Sequence, residues 1–458
     1  MSEPTLPPRV AVLGFARSGR ALADALRDRG VAVSVADDKP ESAFPEAREL
    51  RDRGVEFFFG GLKEAVLEGA DWLAVSPGVP LTAPVVGVAR QRRIPVLAEF
   101  EIAWRIAESE VEGENRWVAV TGTNGKSTTT AWIAEVLRRA GRPVVLAGNI
   151  GVPLSSFLSD RTARDFVVEL SSFQLEASDR FAPQVAVLTN LTPDHLDRYP
   201  DFAAYALAKQ RIFARQRPQD FSVVNADDPP AAASPTPARR VPFSRSGPRE
   251  AGVWLEEGML CSGVAGPRRE VLPADRLALP GAHNLENALA VLAAAECLQA
   301  PEDAIREGLM RFTGLPHRSE LVAQARGVRW VDDSKGTNVD ATRKCLEGFS
   351  EGSVILILGG RDKHGDFPSL APAVARAARQ VLTIGEAAAT IERALAGAVA
   401  IERSGTMENA VLRASEIARP GDTVLLSPAC ASFDAYANYE ERGKHFATLA
   451  RAMGERKA

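Results

Sequence analysis

The chain has 458 residues, 45% hydrophobic and 25% charged, and its 55 lysines and arginines against 59 aspartates and glutamates give a net charge of -4. That length divides into about two to four domains, and the balance excludes a disordered, collagen-like or disulfide-scaffold chain. With no basic excess, nucleic acid is not an expected partner, and an anionic substrate must be held by local charges and backbone amides.

The opening stretch MSEPTLPPRVAVLGF lacks the basic and apolar regions of a signal peptide. Cys261, Cys297, Cys345 and Cys430 are widely spaced, without a CxxC pair, which fits a reducing compartment. No apolar run is long enough to span a bilayer. A cytoplasmic protein without membrane insertion is expected.

Short β-branched runs alternating with helical patterns predict parallel sheets. A first group covers 10–13, 31–36, 55–59 and 72–75. The turn Gly14-Phe15-Ala16-Arg17-Ser18-Gly19 follows its first strand, and the acidic pair Asp37-Asp38 lies about 20 residues on, as in a dinucleotide fingerprint. Ala16 stands where the second glycine belongs, however, and its Cβ would obstruct a pyrophosphate. An NAD(P)-dependent oxidoreductase is therefore a rival reading, not the leading one. The polar segment 108–116 (ESEVEGENR) reads as a boundary.

A second group covers 117–120, 144–147, 166–170, 185–189 and 221–225. After its first strand comes Thr121-Gly122-Thr123-Asn124-Gly125-Lys126-Ser127-Thr128, and then a helical stretch. Glycines let the backbone curl until several N–H groups face one anion, and the helix N-terminus adds its positive end. Lys126 would reach the β/γ-phosphates and the Ser127 hydroxyl a magnesium ion. Val120 occupies the place of the usual leading glycine, so the loop is a shortened variant. Glu169 ends a later strand, and His195 lies in Asn190-Leu191-Thr192-Pro193-Asp194-His195-Leu196-Asp197 after another. Ligands gather at carboxyl ends of parallel strands, so Glu169, His195 and the loop could converge on one magnesium-bound phosphate. Asp194 and Asp197 are alternative ligands. Residues 231–275 are rich in Pro, Arg and Gly, and 253–260 reads as a hairpin turning at 256–258, a small antiparallel patch. After a second boundary at 312–318 (FTGLPHR), a third group covers 328–331, 354–358, 381–384 and 423–426. Three consecutive α/β domains result: 1–110, 111–314 and 315–458.

Six motifs now stand in order: GTNGKST, Glu169-Leu170-Ser171-Ser172-Phe173-Gln174-Leu175, NLTPDHLDR, Asp332-Asp333-Ser334-Lys335-Gly336-Thr337-Asn338, Gly359-Gly360-Arg361-Asp362-Lys363 and Leu426-Ser427-Pro428-Ala429-Cys430-Ala431-Ser432-Phe433-Asp434. Together they resemble the ATP-dependent Mur ligases of peptidoglycan synthesis, and within that family the D-glutamate-adding branch. The resemblance implies Rossmann-like first and third domains around a central phosphate-loop domain. It implies an amide ligase that turns the carboxylate of UDP-N-acetylmuramoyl-L-alanine into an acyl phosphate with ATP and two Mg²⁺, then lets the amine of D-glutamate displace phosphate.

Carried over motif by motif, Gly122 to Thr128, Asn284, Arg318 and Asp333 are expected on ATP. Ser127, Glu169 and His195 are expected on metal. Lys126, His195, Lys209, His317 and Lys335 are the expected catalytic groups. Thr337, Lys363, Ser432 and Phe433 should surround D-glutamate. Asn149, in Gly148-Asn149-Ile150-Gly151, should meet the muramoyl part, with Arg17, Ser18, Lys39, Ser76, Pro77 and Gly78 along the UDP. Lys209, by itself, reads as a surface helix lysine. In the resembled family the lysine at this position is carbamylated, a metal-binding anion that requires a depressed amine pKa. Residues 314–316 are a plausible hinge, and a monomer is expected. Rival readings of the same loop are sister ligases with another amino acid, folylpolyglutamate synthase, or a non-catalytic nucleotide switch.

Overall fold

The computed structural model describes residues 6–110, 113–196, 198–279 and 281–455. Asp197, the first five residues of the opening stretch and residues 111–112 of the first boundary segment lie outside the described residues. Three α/β units follow one another. In the first, β1 (Arg9–Leu13), β2 (Ala32–Asp37), β3 (Glu56–Phe59), β4 (Trp72–Val75) and β5 (Val96–Ala98) form a parallel sheet ordered β3-β2-β1-β4-β5. The order reverses at β1, so its crevice opens beyond β1 and β4. There the Ser76 N–H donates to the Leu13 carbonyl (2.9 Å) and the Ser76 hydroxyl to that of Gly14 (3.0 Å).

The middle sheet holds β6 (Arg116–Thr121), β7 (Val144–Gly148), β8 (Asp165–Glu169), β9 (Val185–Leu188), β10 (Phe221–Asn225), β11 (Arg239–Ser244), β12 (Val253–Glu256), β13 (Met259–Ser262) and β14 (Arg269–Pro273), ordered β14-β13-β12-β11-β10-β9-β6-β8-β7. The strands from β7 across to β12 run parallel, and β13 and β14 add antiparallel pairs. Glu257 and Gly258 turn the β12–β13 hairpin with φ of 49° and 78°, the paired positive values that match the strands' twist. The antiparallel patch extends the main sheet, because β12 pairs directly with β11.

The third sheet holds β15 (Glu320–Ala325), β16 (Val328–Asp332), β17 (Val354–Gly359), β18 (Ala378–Ile384), β19 (Ala400–Gly405) and β20 (Thr423–Leu426), ordered β15-β16-β20-β17-β18-β19. Only β15 is antiparallel to its neighbour. Five strands escape the sequence reading: β5, β11, β14, β15 and β19. Four of them are sheet edges, with little need for the apolar runs of strands buried on both faces, such as β17. The fifth, β11, reads RRVPFS, with arginines and a proline hiding its three buried side chains.

The first and middle units share one apolar cluster, from Val10 and Leu22 through Phe100 and Ile102 to Trp117, Phe166 and Phe181. Phe100 and Trp104 meet Phe181 edge-on, with centroids 5.2 and 5.7 Å away. Glu101, fully buried, accepts the N–H groups of Asp179, Arg180 and Phe181 at 3.0–3.1 Å. Glu99 accepts the Ser155 N–H at 2.7 Å and its hydroxyl at 2.5 Å. The third unit has two separate clusters, one on each face of its sheet. Among the described residues no helix is long and apolar enough to cross a membrane.

Candidate active site

The phosphate loop leaves β6 at Thr121 and enters the helix Lys126–Arg139. Its glycines are required. Gly122 (φ 147°) and Gly125 (φ 81°) occupy conformations that disfavour side chains, and a Cβ would come within 2.0 Å of Thr189 Oγ1 and 2.4 Å of Asn287 Oδ1. Asn190 braces the loop, its Oδ1 accepting the Asn124 N–H (2.9 Å) and its carbonyl the Thr123 N–H (2.9 Å). Lys126 folds back, donating to the Gly122 and Thr123 carbonyls at 3.0 and 2.7 Å. Burial lowers its pKa.

Glu169 closes β8 with no exposed surface. Its Oε1 accepts the Asn149 amide at 2.6 Å, whereas Oε2 is buried without a hydrogen-bond partner. Burial alone would raise its pKa, but Lys126, Lys335, Ser127 and Asn149 outweigh it and hold it below the ordinary value. An ionised, undonated oxygen lining a cavity suits a hard divalent cation. His195 lies beyond β9 with φ 55°. Burial lowers its pKa to about 4, so the imidazole keeps a lone pair at neutral pH.

Lys209 is no surface lysine. The helix Phe202–Gln210, capped by Asp201 through the Ala204 N–H (2.8 Å), turns it inward until it is 2% exposed. Its ammonium sits 4.9 Å from the Tyr205 ring centroid. Burial, reinforced by Lys126, pushes its pKa well below the ordinary value. Addition of CO₂ requires a neutral amine, the form that this downward shift favours.

The third unit closes over these groups around a cavity of about 1230 Å³. Arg318 donates to the Ser127 hydroxyl at 2.8 Å. Asp333 accepts the Ser427 hydroxyl at 2.7 Å, and burial raises its pKa to about 6. The Lys335 ammonium lies 3.8 Å from the Tyr439 ring centroid, and burial lowers its pKa to about 8. Asp194 pairs with Lys363 (3.1 Å) and accepts the Asn338 amide (2.9 Å). Burial opposes its charge, yet Lys363 and His195 hold its pKa at about 2. Asp340 accepts both the Asn124 amide (2.6 Å) and the Thr192 hydroxyl (3.1 Å) across the same divide.

Thr123, Asn124, Gly125, Lys126, Thr128, Asn149, Glu169, His195, Lys209, Asn284, Arg318, Asp333, Lys335, Thr337, Lys363, Ser432 and Phe433 all line that one cavity. Gly122 and Ser127 are buried in the loop beneath it. His317 is not brought to it. With φ 63°, its Nδ1 lies 2.6 Å from Asp332 Oδ2, and that hydrogen bond raises its pKa. It reaches the cavity through neighbours: its carbonyl accepts the Lys335 N–H at 3.1 Å, and its ring meets that of Tyr439 edge-on, centroids 6.4 Å apart. Arg17, Ser18, Lys39, Ser76, Pro77 and Gly78 lie apart, beyond the carboxyl ends of the first sheet's strands. Asp37 engages the Phe15 N–H (2.7 Å) and the Lys39 N–H (2.9 Å), which occupies the acid a dinucleotide ribose would need.

Sequence reasoning missed Asn338, Asp340, Tyr439 and Arg442. The last is 1% exposed and donates to the Ser334 hydroxyl (2.9 Å) and to the Ser334, Cys430 and Ala431 carbonyls. It ties together the two loops that carry Lys335 and Ser432. In the sequence, NYEERGKHF gives it no more weight than any helix-surface charge.

Three family models match along the chain: the Mur ligase MurD-like N-terminal domain over 8–98, the Mur ligase middle domain over 120–295, and the Mur ligase glutamate ligase domain over 317–430. UDP-N-acetylmuramoylalanine--D-glutamate ligase of Pelotomaculum thermopropionicum is 44% identical, with 96% of each chain covered. That of Anaeromyxobacter dehalogenans is also 44% identical, covering 98% of this chain and 99% of the relative. Among solved structures, UDP-N-acetylmuramate-alanine ligase of Thermotoga maritima superimposes with TM-score 0.61 at 20% identity, covering 97% and 99%. MurF of Acinetobacter baumannii gives 0.62 at 17%, covering 98% and 93%.

Proposed function

The chain belongs to the Mur ligase family, and on that premise we propose that it joins D-glutamate to UDP-N-acetylmuramoyl-L-alanine, with ATP, in peptidoglycan precursor synthesis. Relatives of that name at 41–44% identity over nearly the whole chain support the substrate pair. One observation carries the chemistry: the phosphate loop, the Glu169 carboxylate with its undonated Oε2, His195, Lys209, Lys335 and Lys363 face one cavity.

A carboxylate does not react with an amine at neutral pH. Transfer of the γ-phosphoryl group to the L-alanyl carboxylate gives an acyl phosphate and ADP. The amine of D-glutamate attacks that carbonyl, and the tetrahedral intermediate expels phosphate as the amide forms. Lys126 leaves its own loop carbonyls for the phosphates, and the Lys126–Arg139 helix turns its N-terminus to the same charge. Arg318 and Asp333 hold phosphate and ribose, and Asn284 holds the base. Lys335, seated on Tyr439, faces the reacting groups, where a fixed cation stabilises developing negative charge. Thr337, Lys363, Ser432 and Phe433 receive D-glutamate. Asn149 meets the muramoyl part, and Arg17, Ser18, Lys39 and the 76–78 loop meet the UDP.

Ser127, Glu169, His195 and a carbamate on Lys209 would hold two Mg²⁺, which would neutralise the crowded phosphate and carboxylate oxygens. On this reading 1–110 binds UDP, 111–314 binds ATP, and 315–458 binds D-glutamate and closes over ATP. His317 serves by positioning Lys335. Four free cysteines, three of them buried, agree with a cytoplasmic enzyme, acting as a monomer.

The test is ADP release with the nucleotide substrate and a panel of amino acids. Release that requires D-glutamate is the expected result. Release with L-amino acids or folates, or none, overturns the reading. Lys209 is tested separately by ¹³C NMR after exposure to labelled CO₂: a carbamate resonance absent from Lys209→Ala is expected, and identical spectra would sink the carbamate.

A further inference from the structure

Arg198 stands where the first and middle units meet and touches both. It lies one turn beyond His195, and its N–H donates to the His195 carbonyl at 3.0 Å. Its guanidinium covers the Phe173 ring, 3.8 Å from the centroid. Its Nη1 donates to the Pro77 carbonyl of the first unit at 3.0 Å, and its Nη2 meets the Glu176 carboxylate at 3.3 Å. Arginine suits this place, since its plane takes an aromatic ring while its edge serves a carbonyl and a carboxylate.

Both neighbours lead onward. The Phe173 ring lines the cavity and packs against the His195 imidazole, centroids 4.8 Å apart at 64°. Pro77 follows Ser76, whose N–H and hydroxyl hold the Leu13 and Gly14 carbonyls at the turn carrying Arg17 and Ser18. An unbroken series of contacts thus runs from the first unit's glycine turn to the imidazole at the cavity.

We propose that Arg198 is a positioning residue that couples the 76–78 loop to His195, so that a nucleotide diphosphate in the first unit and a divalent cation at His195 strengthen each other's binding. The inference rests on the proposed function for the ligand at the first turn. A diphosphate that fixes the 76–78 loop fixes the Pro77 carbonyl. That carbonyl sets the guanidinium plane, and the plane in turn holds the Phe173 ring, which touches both guanidinium and imidazole. Coupling of this kind is reciprocal.

The test uses UDP-N-acetylglucosamine, which fills the first unit's turn but lacks the reacting carboxylate. Mn²⁺ is titrated by electron paramagnetic resonance with and without it, against an enzyme-free blank. In the wild type the nucleotide sugar is expected to tighten Mn²⁺ binding about threefold or more, on the order of 0.6 kcal/mol. In Arg198→Ala that factor should fall to about one, while the KM for D-glutamate stays within about twofold. Arg198→Lys keeps the charge without the planar stack and should lose most of the factor. It carries the test if the alanine variant does not fold. An unchanged factor in either folded variant overturns the coupling and leaves the proposed function standing. A nucleotide sugar that does not bind the wild type at all overturns both.

Discussion

The two contacts made by the middle unit are built from different materials. Toward the first unit it is a core. Phe100, Trp104 and Phe181 pack together, and the Glu101 carboxylate is buried under three backbone N–H groups. Toward the third unit it is a set of exchangeable polar pairs, Asn124 with Asp340, Asn338 with Asp194, Lys363 with Asp194 and Arg318 with Ser127. Water can replace each of these pairs, whereas it cannot replace a packed phenylalanine. The first contact packs two units together as a core, whereas the second, exchangeable with water, suits the proposed closure over ligands.

That contrast can be broken most sharply at the phosphate loop. Lys126→Ala should lower kcat by about 10³-fold or more while leaving the thermal melt unchanged. A normal kcat would show that the loop is not the ATP site. On the opposite side, Glu101→Ala takes the acceptor from three backbone N–H groups, the buried one of Phe181 among them, and should cost about 3 kcal/mol in urea unfolding, with kcat of the folded fraction intact. Equal damage to stability and turnover would mean that the first contact is not merely structural.

Asp340→Ala removes the acceptor shared by Asn124 and Thr192. Closure should weaken by about 1 kcal/mol, read as a larger radius of gyration without ligands and an ATP KM raised about fivefold. Scattering profiles identical to wild type would count against Asp340 as a clasp.

The smallest expected effect is in the pH dependence of stability. Burial holds His195 and His283 of the middle unit at about 4. Between about 4 and 6.5 the unfolded chain therefore binds more protons than the folded one, so stability rises with pH across that window and falls on acidification. His317 of the third unit is shifted upward by Asp332, so its contribution is present below 6.5 and fades as pH rises through its folded value. His283→Gln should flatten the loss between pH 7 and 5 by on the order of 1 kcal/mol, measured by urea unfolding. An unchanged slope would place that acid sensitivity elsewhere.

Much of this molecule is legible before it folds. Strands such as β4, β10 and β20 announce themselves as apolar β-branched runs, and the groups at their carboxyl ends follow from the parallel-sheet rule. The edge strands β15 and β19 are hidden, since a strand with one exposed face has no such run. Lys209 shows the limit for side chains. A helix segment with alanines on several sides does not say which side faces inward, and only the packed Tyr205 and Tyr199 decide it. Asp340, Arg198 and Arg442 were illegible for a different reason. Their partners Asn124, Pro77 and Ser334 lie 108 to 216 positions away, and no local pattern records such meetings.

Lys363 and Asp194 carry a last consequence. The ammonium assigned to an incoming acid is already neutralised by the chain's own carboxylate, 3.1 Å away. An arriving carboxylate therefore trades places with a resident one and does not fall into a bare positive hole. Lys363 has little hydration left to shed, so only the arriving carboxylate meets the steep cost of leaving water. Stray anions gain little from such a pocket, because an evicted Asp194 must be offered something better than a single cation.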